Sequence, residues 1–114
     1  MPVTYRQLAV SFSTADAERP VIEYRDGRLT LQFVDWREQP VTVHFPNVVA
    51  FHWQDEANLP PGVRDDMTYE LLDSPWVAEL EELGAIFGEH HHYKICFNAC
   101  GVLDVVSGAL PAPA

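Results

Sequence analysis

Tyr24-Arg25-Asp26-Gly27-Arg28-Leu29-Thr30-Leu31-Gln32-Phe33 contains the clearest conformational signal in the 114-residue chain. A type I′ turn requires positive φ at both central positions, and Asp-Gly tolerates that at low cost. Val21 to Arg25 and Arg28 to Trp36 are therefore predicted as two arms of a β-hairpin. In the second arm Leu29, Leu31 and Phe33 fall on one face, and Thr30 and Gln32 on the other. That is the period of two of a half-buried strand.

The same reasoning extends to both sides of the hairpin. Leu8 to Phe12 is predicted as a preceding short strand, separated from Val21 by the polar connection Ser13 to Pro20. Val41, Val43 and Phe45 repeat the alternation after Pro40. Pro46-Asn47 breaks it, and Val48 to Trp53 resumes it with Val49, Phe51 and Trp53 on a shared face. Gln54 to Asp66, with Pro60-Pro61-Gly62 at its centre, has no apolar periodicity and is predicted as a surface loop. Met67 to Leu72 is a short extended segment. Ser74-Pro75 then starts a helix, with Ser as N-cap and Pro at the first helical position. Trp76, Val77, Leu80 and Leu83 form its expected buried stripe, and Gly84 its stop. His90 to Phe97 and Val102 to Val106, joined by a turn at Asn98 to Gly101, read as a closing hairpin. The expectation is an α+β fold: a single antiparallel sheet of about six or seven strands packed against one principal helix. Residues 1–109 are expected to form one globular domain and 110–114 a frayed Pro/Ala tail.

Charge is distributed unevenly along this pattern. Residues 54–104 hold eleven Asp and Glu against Arg64 and Lys94, whereas residues 1–53 are nearly balanced, so most of the net charge of -10 is regional. Such an excess disfavours nucleic acid and acidic membrane surfaces as partners and favours a basic one. Solubility alone is the bland account of an acidic surface. A binding face is the other, formed by the loop acids Asp55, Glu56, Asp65 and Asp66 and the helix acids Glu79, Glu81 and Glu82. Glu81 and Glu82 lie in the last helical turn, where the macrodipole disfavours negative charge, so local stability does not explain them. No apolar run approaches the roughly 20 residues of a membrane helix, and the N-terminus lacks a signal-peptide pattern. A soluble, cytoplasmic protein is expected.

Other chemistry is less well supported. His90, His91, His92, Cys96 and Cys100 invite a metal-binding or enzymatic reading, but His90 and Cys96 are about 20 Å apart along an extended strand, too far to share one ion. Ligands from another segment, such as His44 or His52, would be required. The two cysteines are four apart, so a disulfide would close a tiny loop and stabilise weakly; reduced thiols are expected. Ser74 with a histidine and an aspartate has no local nucleophile signature, and capping accounts for it. The six glycines are scattered and form no phosphate loop. Trp36, Trp53 and Trp76 fall in phase with apolar faces or strand ends, which makes core packing their expected role. No cofactor is implied.

Asp73-Ser74-Pro75-Trp76-Val77-Ala78-Glu79-Leu80, then His91-His92-Tyr93, then Leu103-Asp104-Val105-Val106 together resemble a loose group of small acidic bacterial proteins. Some of these resemble immunity proteins of polymorphic toxin systems. The resemblance covers about the last 40 residues, and its motifs are mostly those that a helix cap and a core require. It implies a non-catalytic cytoplasmic protein that binds and blocks a basic toxin, which agrees with the acidic segment, and it carries over no catalytic residue. The alternatives are a small metal protein or enzyme centred on the histidine and cysteine region, and a self-associating domain. The last would form a homodimer through an exposed sheet edge or through apolar residues such as Val48 and Ala50.

Overall fold

The computed structural model describes residues 4–55, 59, 62–86, 88–109 and 112–113. The strands are β1 (Thr4–Gln7), β2 (Glu18–Arg25), β3 (Arg28–Val34), β4 (Pro40–Phe45), β5 (Ala50–Gln54), β6 (Thr68–Leu72), β7 (His91–Phe97), β8 (Gly101–Ser107) and β9 (Ala112–Pro113), and the helix is α1 (Pro75–Glu82). They form two antiparallel sheets rather than one. A large sheet has the order β1-β6-β7-β8-β5, and a small one has β2-β3-β4, extended by the two-residue β9.

The Asp-Gly hairpin forms as its chemistry dictates. Asp26 and Gly27 have φ of 51° and 80°, and Arg25 pairs with Arg28 across the two-residue turn. β3 then returns to β4 through a turn organised by Asp35, whose carboxylate accepts the backbone N–H of Arg37 and of Gln39, each at 2.9 Å. The Gln39 N–H, together with the Arg37 guanidinium, holds the Asp35 carboxyl below its usual range despite its burial. In the small sheet Leu29, Leu31, Phe33, Val43 and Phe45 point inward.

Their partners are the odd-numbered residues of the large sheet: Tyr93, Ile95 and Phe97 on β7, and Leu103 and Val105 on β8. The rings of Phe33 and Phe97 meet edge to face at 5.1 Å, an arrangement favoured by the ring quadrupoles. The main core thus lies between two sheets, and the helix does not cover it. This corrects the single-sheet expectation. Alternation along a strand tells which residues face a core, but not which strands are hydrogen-bonded neighbours or what lies opposite. After β4 the chain passes through Asn47, at φ 51°, and enters the other sheet, where β5 pairs with β8.

The outward face of the large sheet is also covered. Tyr69, Leu71, Cys96 and Val102 form a second cluster there, with Tyr5, Leu59, Val63 and Met67 packed against it. Burial on both faces explains why every residue of β8 is buried. Gly101, at φ 155°, is needed where β8 begins, because a Cβ there would lie 2.2 Å from the Gln54 carbonyl oxygen.

Helix α1 starts and stops where expected. Ser74 Oγ accepts the Val77 N–H at 3.3 Å, and Asp73 before it turns the chain with φ 57°. At the other end Gly84 N–H reaches the Glu81 carbonyl and Ala85 N–H the Leu80 carbonyl, the paired bonds of a Schellman motif. Its predicted buried stripe fails: no residue of α1 is buried, and Leu83 beyond it is 73% exposed. The helix rests on the outward sheet face through Trp76, and the rest of its expected stripe is left without cover.

Four further expectations are corrected. Leu8 to Phe12 is not a strand; β1 forms before it, pairing Tyr5 with Leu71, while Leu8 and Phe12 pack irregularly against the core. The strand expected from Val48 begins at Ala50, and Val48 is buried, whereas Val49 and Phe51 are the exposed apolar residues of that segment. Trp36 lies past the end of β3, 60% exposed, with the Arg37 guanidinium 5.7 Å from its ring centroid. Trp76 packs between two histidines rather than in the core. Among the described residues no helix is long and apolar enough to cross a membrane.

Candidate functional site

Register places an unusual set of polar side chains on the outward face of the large sheet, beneath the start of α1. Asp104 pairs with Lys94 on one side and His52 on the other, and His92 precedes Lys94 by one full pleat. All four therefore project from the same face. A charged row in the middle of a sheet is costly unless its members satisfy one another.

They do so around Asp104, which is 2% exposed. One carboxylate oxygen meets His92 Nε2 at 2.7 Å; the other accepts from Lys94 Nζ at 3.0 Å and lies 3.4 Å from His52 Nε2. Burial pushes the Asp104 carboxyl up, but the His92 hydrogen bond and the Lys94 ammonium outweigh it and hold the group below the usual carboxylate range. On its far side His92 Nδ1 lies 2.8 Å from Ser74 Oγ. Trp76 roofs the assembly, its ring 5.1 Å from that of His52 and 5.2 Å from that of His92. The network ties the N-terminus of the helix to the two central strands of the sheet.

Glu70 and His91 form a neighbouring group that faces the other way. Glu70 accepts from Arg6 and lies 2.7 Å from His91 Nδ1, while His91 Nε2 lies 3.2 Å from Glu89. An open pocket of about 440 Å³ lies between the two groups, lined by Ser74, His92, Glu70 and His91 together with the first turns of α1.

Of the residues expected to bind a partner, Glu79, Glu81 and Glu82 are exposed on α1. Asp55 accepts from Trp53 Nε1 at 2.7 Å, and Asp66 pairs with Arg64 at 3.1 Å. Glu56 lies outside the described residues. Asp55 and Asp65 line a pocket beside Phe97 and Val102, whereas Glu81 borders the pocket at His90 to His92. These positions are at opposite ends of the seven-residue β7, about 20 Å apart at strand rise, so the acids form two groups rather than one continuous patch.

The histidine and cysteine residues are likewise dispersed. His92 and Cys96 face outward, His91 faces inward, and Cys100 donates its thiol to the Ala17 carbonyl at 3.3 Å. Among the described residues no three His, Cys, Asp or Glu side chains converge as a metal site would require. Both cysteines are free, and burial pushes the Cys96 thiol up to about 11, which keeps it protonated and unreactive at neutral pH.

The role of Asp104 was missed at the level of sequence, although a signal existed. It is the sole charged residue in the strand Gly101–Ser107, and an acid inside a β-branched run must find partners or unfold it. Glu70 in Thr68–Leu72 carries the same signal.

Comparison of the chain with protein-family models, with curated proteins and with solved structures finds no match. The fold and the site therefore define this protein only as a two-sheet α+β domain with a buried Ser-His-Asp-Lys network.

Proposed function

We propose that this chain is an acidic protein-binding domain, immunity-like in kind, that acts in the cytoplasm by covering a basic region of a cognate toxin. The observation that carries this reading is the display of Glu79, Glu81 and Glu82. All three are exposed, and among the described residues none takes part in an ion pair. Helix α1 has no basic residue in its last turn, so two of these carboxylates oppose its macrodipole. A chain that retains them at a local cost has a use for the charge.

Leu83 supports the same reading. At 73% exposed it sets a large apolar side chain beside the acids, and interfaces commonly combine steering charge with an apolar anchor. Asp55 and Asp65 add a second negative group near the other end of β7, where Asp66 is paired with Arg64, and this widens the field felt by an approaching basic protein. That field also disfavours nucleic acid and anionic membranes.

The test is capture from the source cell's lysate on the immobilised wild-type chain and on a Glu79→Lys, Glu81→Lys, Glu82→Lys variant. Circular dichroism should show both equally folded, because all three side chains point to solvent. Wild type should retain a basic protein at low salt and release it at 1 M salt, where the screening length is about 3 Å. The variant should retain none of it at either salt. Equal affinity of that protein for both chains would refute the acidic-face reading.

A further inference from the structure

The geometry points to a second capability, independent of the acidic helix face: Ser74, His92 and Asp104 form a nucleophilic triad that hydrolyses small uncharged or cationic carboxylic esters. Helix capping requires only that Ser74 Oγ accept the Val77 N–H, which it does at 3.3 Å. Capping does not account for the imidazole behind that hydroxyl, nor for the carboxylate behind the imidazole. The contacts are 2.8 Å from Ser74 Oγ to His92 Nδ1 and 2.7 Å from His92 Nε2 to Asp104 Oδ1, and the three residues are 6%, 7% and 2% exposed. These are the separations of a nucleophile, its base and the group that orients the base.

Proton positions follow from the partners. An ionised Asp104 can only accept, so His92 Nε2 carries its hydrogen toward it, and in the neutral imidazole Nδ1 is then the acceptor. The Ser74 hydroxyl therefore donates to Nδ1, the polarity needed to remove its proton. The ring nitrogens exchange the places they hold in the familiar serine-protease triad, but the relay is unchanged, since either nitrogen serves as base when the other is held by a carboxylate. Lys94 shares Asp104, which weakens the carboxylate's support of an imidazolium and makes Ser74 a moderate rather than a fast nucleophile.

The substrate class follows from the pocket that Ser74 and His92 line. Its volume of about 440 Å³ suits a small molecule. Leu72, Pro75, Val77 and Ala78 provide an apolar wall for a short acyl chain, while Asp73 and Glu81 line it with carboxylates that are in no ion pair among the described residues; Glu70, also in the lining, is paired with Arg6 and His91. An anionic ester is repelled and a neutral or cationic one admitted.

In the reaction Ser74 Oγ bonds to the ester carbonyl carbon as its proton passes to His92 Nδ1, and the carbonyl π pair moves onto oxygen. That oxyanion forms beside Ser74 at the N-terminus of α1, where the positive end of the helix dipole favours negative charge. Collapse breaks the bond to the leaving alkoxide, which takes the proton from His92. Water then attacks the acyl-serine, giving its proton to His92; the acyl–Oγ bond breaks, the proton returns to Ser74, and a carboxylic acid is released. Ester and water become acid and alcohol, with no other reactant.

Two probes test this on the full chain: a fluorophosphonate, read by intact mass and peptide mapping, and p-nitrophenyl butyrate, read by colour. A single phosphonyl adduct on Ser74 and butyrate hydrolysis are expected. Ser74→Asn, which keeps a capping side chain and hence the helix, should abolish both, and His92→Gln should slow labelling at least 100-fold. p-Nitrophenyl hemisuccinate, which is anionic, should be cleaved at least tenfold more slowly than the butyrate. An adduct absent from Ser74, or hydrolysis undiminished in a folded Ser74→Asn variant, would overturn the triad. Equal rates for the two esters would overturn the assigned substrate class.

Discussion

Replacing Asp104 by Asn should destabilise this protein strongly, although the exchange leaves the size of the side chain almost unchanged. The Asp104 carboxylate hydrogen-bonds His92 and Lys94 and lies 3.4 Å from His52 Nε2, and the Lys94 side chain is itself only 13% exposed. An amide at that position removes the counter-charge from Lys94 and turns one acceptor into a donor that faces other donors. Breaking a buried ion pair by removing one partner costs about 3–5 kcal/mol. Because Lys94 can extend toward solvent, the lower end applies, about 3 kcal/mol. For a domain of this size that lowers Tm by about 12 °C. Urea unfolding followed by tryptophan fluorescence measures it directly, since Trp76 packs against the network.

The same experiment has a pH arm with a definite sign. The native Asp104 carboxyl titrates below its unfolded value, so its stabilisation is complete above about pH 4 and is lost as pH falls through the lowered native value. Asp104→Asn should therefore lie well below wild type in stability at pH 7 and converge on it in acid. A double-mutant cycle with Lys94→Met closes the argument, because the paired apolar and neutral replacements leave no lone buried charge. A loss under about 1 kcal/mol at pH 7, or additivity of the two changes within about 0.5 kcal/mol, would refute the reasoning.

Gly101→Ala should prevent stable folding or cost more than about 3 kcal/mol, because the new Cβ would lie 2.2 Å from Gln54 O and 2.8 Å from Trp53 Cζ2 at a φ of 155°. Thermal melting checks it, and a Tm within about 2 °C of wild type would show that β5 and β8 yield easily. The two thiols should differ in reactivity: with an aromatic disulfide reagent at pH 8, half-buried Cys100 reacts in the native state and Cys96, its thiol raised to about 11, reacts only on unfolding. Two equally fast thiols would contradict the burial of Cys96.

Features governed by neighbours in sequence were legible before the structure. The Asp26-Gly27 turn, the alternation of Leu29, Leu31 and Phe33, and the Ser74 cap with its Gly84 stop depend on local φ/ψ preferences and hydrogen bonds within a few residues. Leu83 shows where such reasoning fails. Its spacing matches the helical stripe, yet a stripe is buried only when something packs against it, and no residue of α1 is buried. The reduced state expected of both cysteines from their four-residue spacing agrees with two free thiols, but the burial of Cys96 comes from the cluster on the outward face of the large sheet, which its histidine-rich segment does not suggest.

The candidate site was legible only in its parts. In the sequence Ser74 is explained by capping, a grouping of it with a histidine and an aspartate has no local signature, His92 is one of three adjacent histidines, and Asp104 belongs to an acidic surplus. Their meeting depends on β6, β7 and β8 being neighbours in register, with Tyr93 opposite both Glu70 and Val105. A shift of one residue in either pairing would turn His92 or Asp104 to the opposite face and dissolve the network.

What the amino-acid sequence by itself determined is the composition of each element: which residues alternate, where the chain turns, where the helix begins and ends, and that the negative charge is concentrated after residue 53. What only the tertiary structure decided is which faces meet. Two sheets rather than one, a helix set on the outward face, and a serine, a histidine and an aspartate from three separate elements in one chain of hydrogen bonds all arise from strand pairing over long sequence separations. Local preference cannot choose among such pairings. The choice is made by the joint burial of two sheet faces and by the need of every buried charge for a partner.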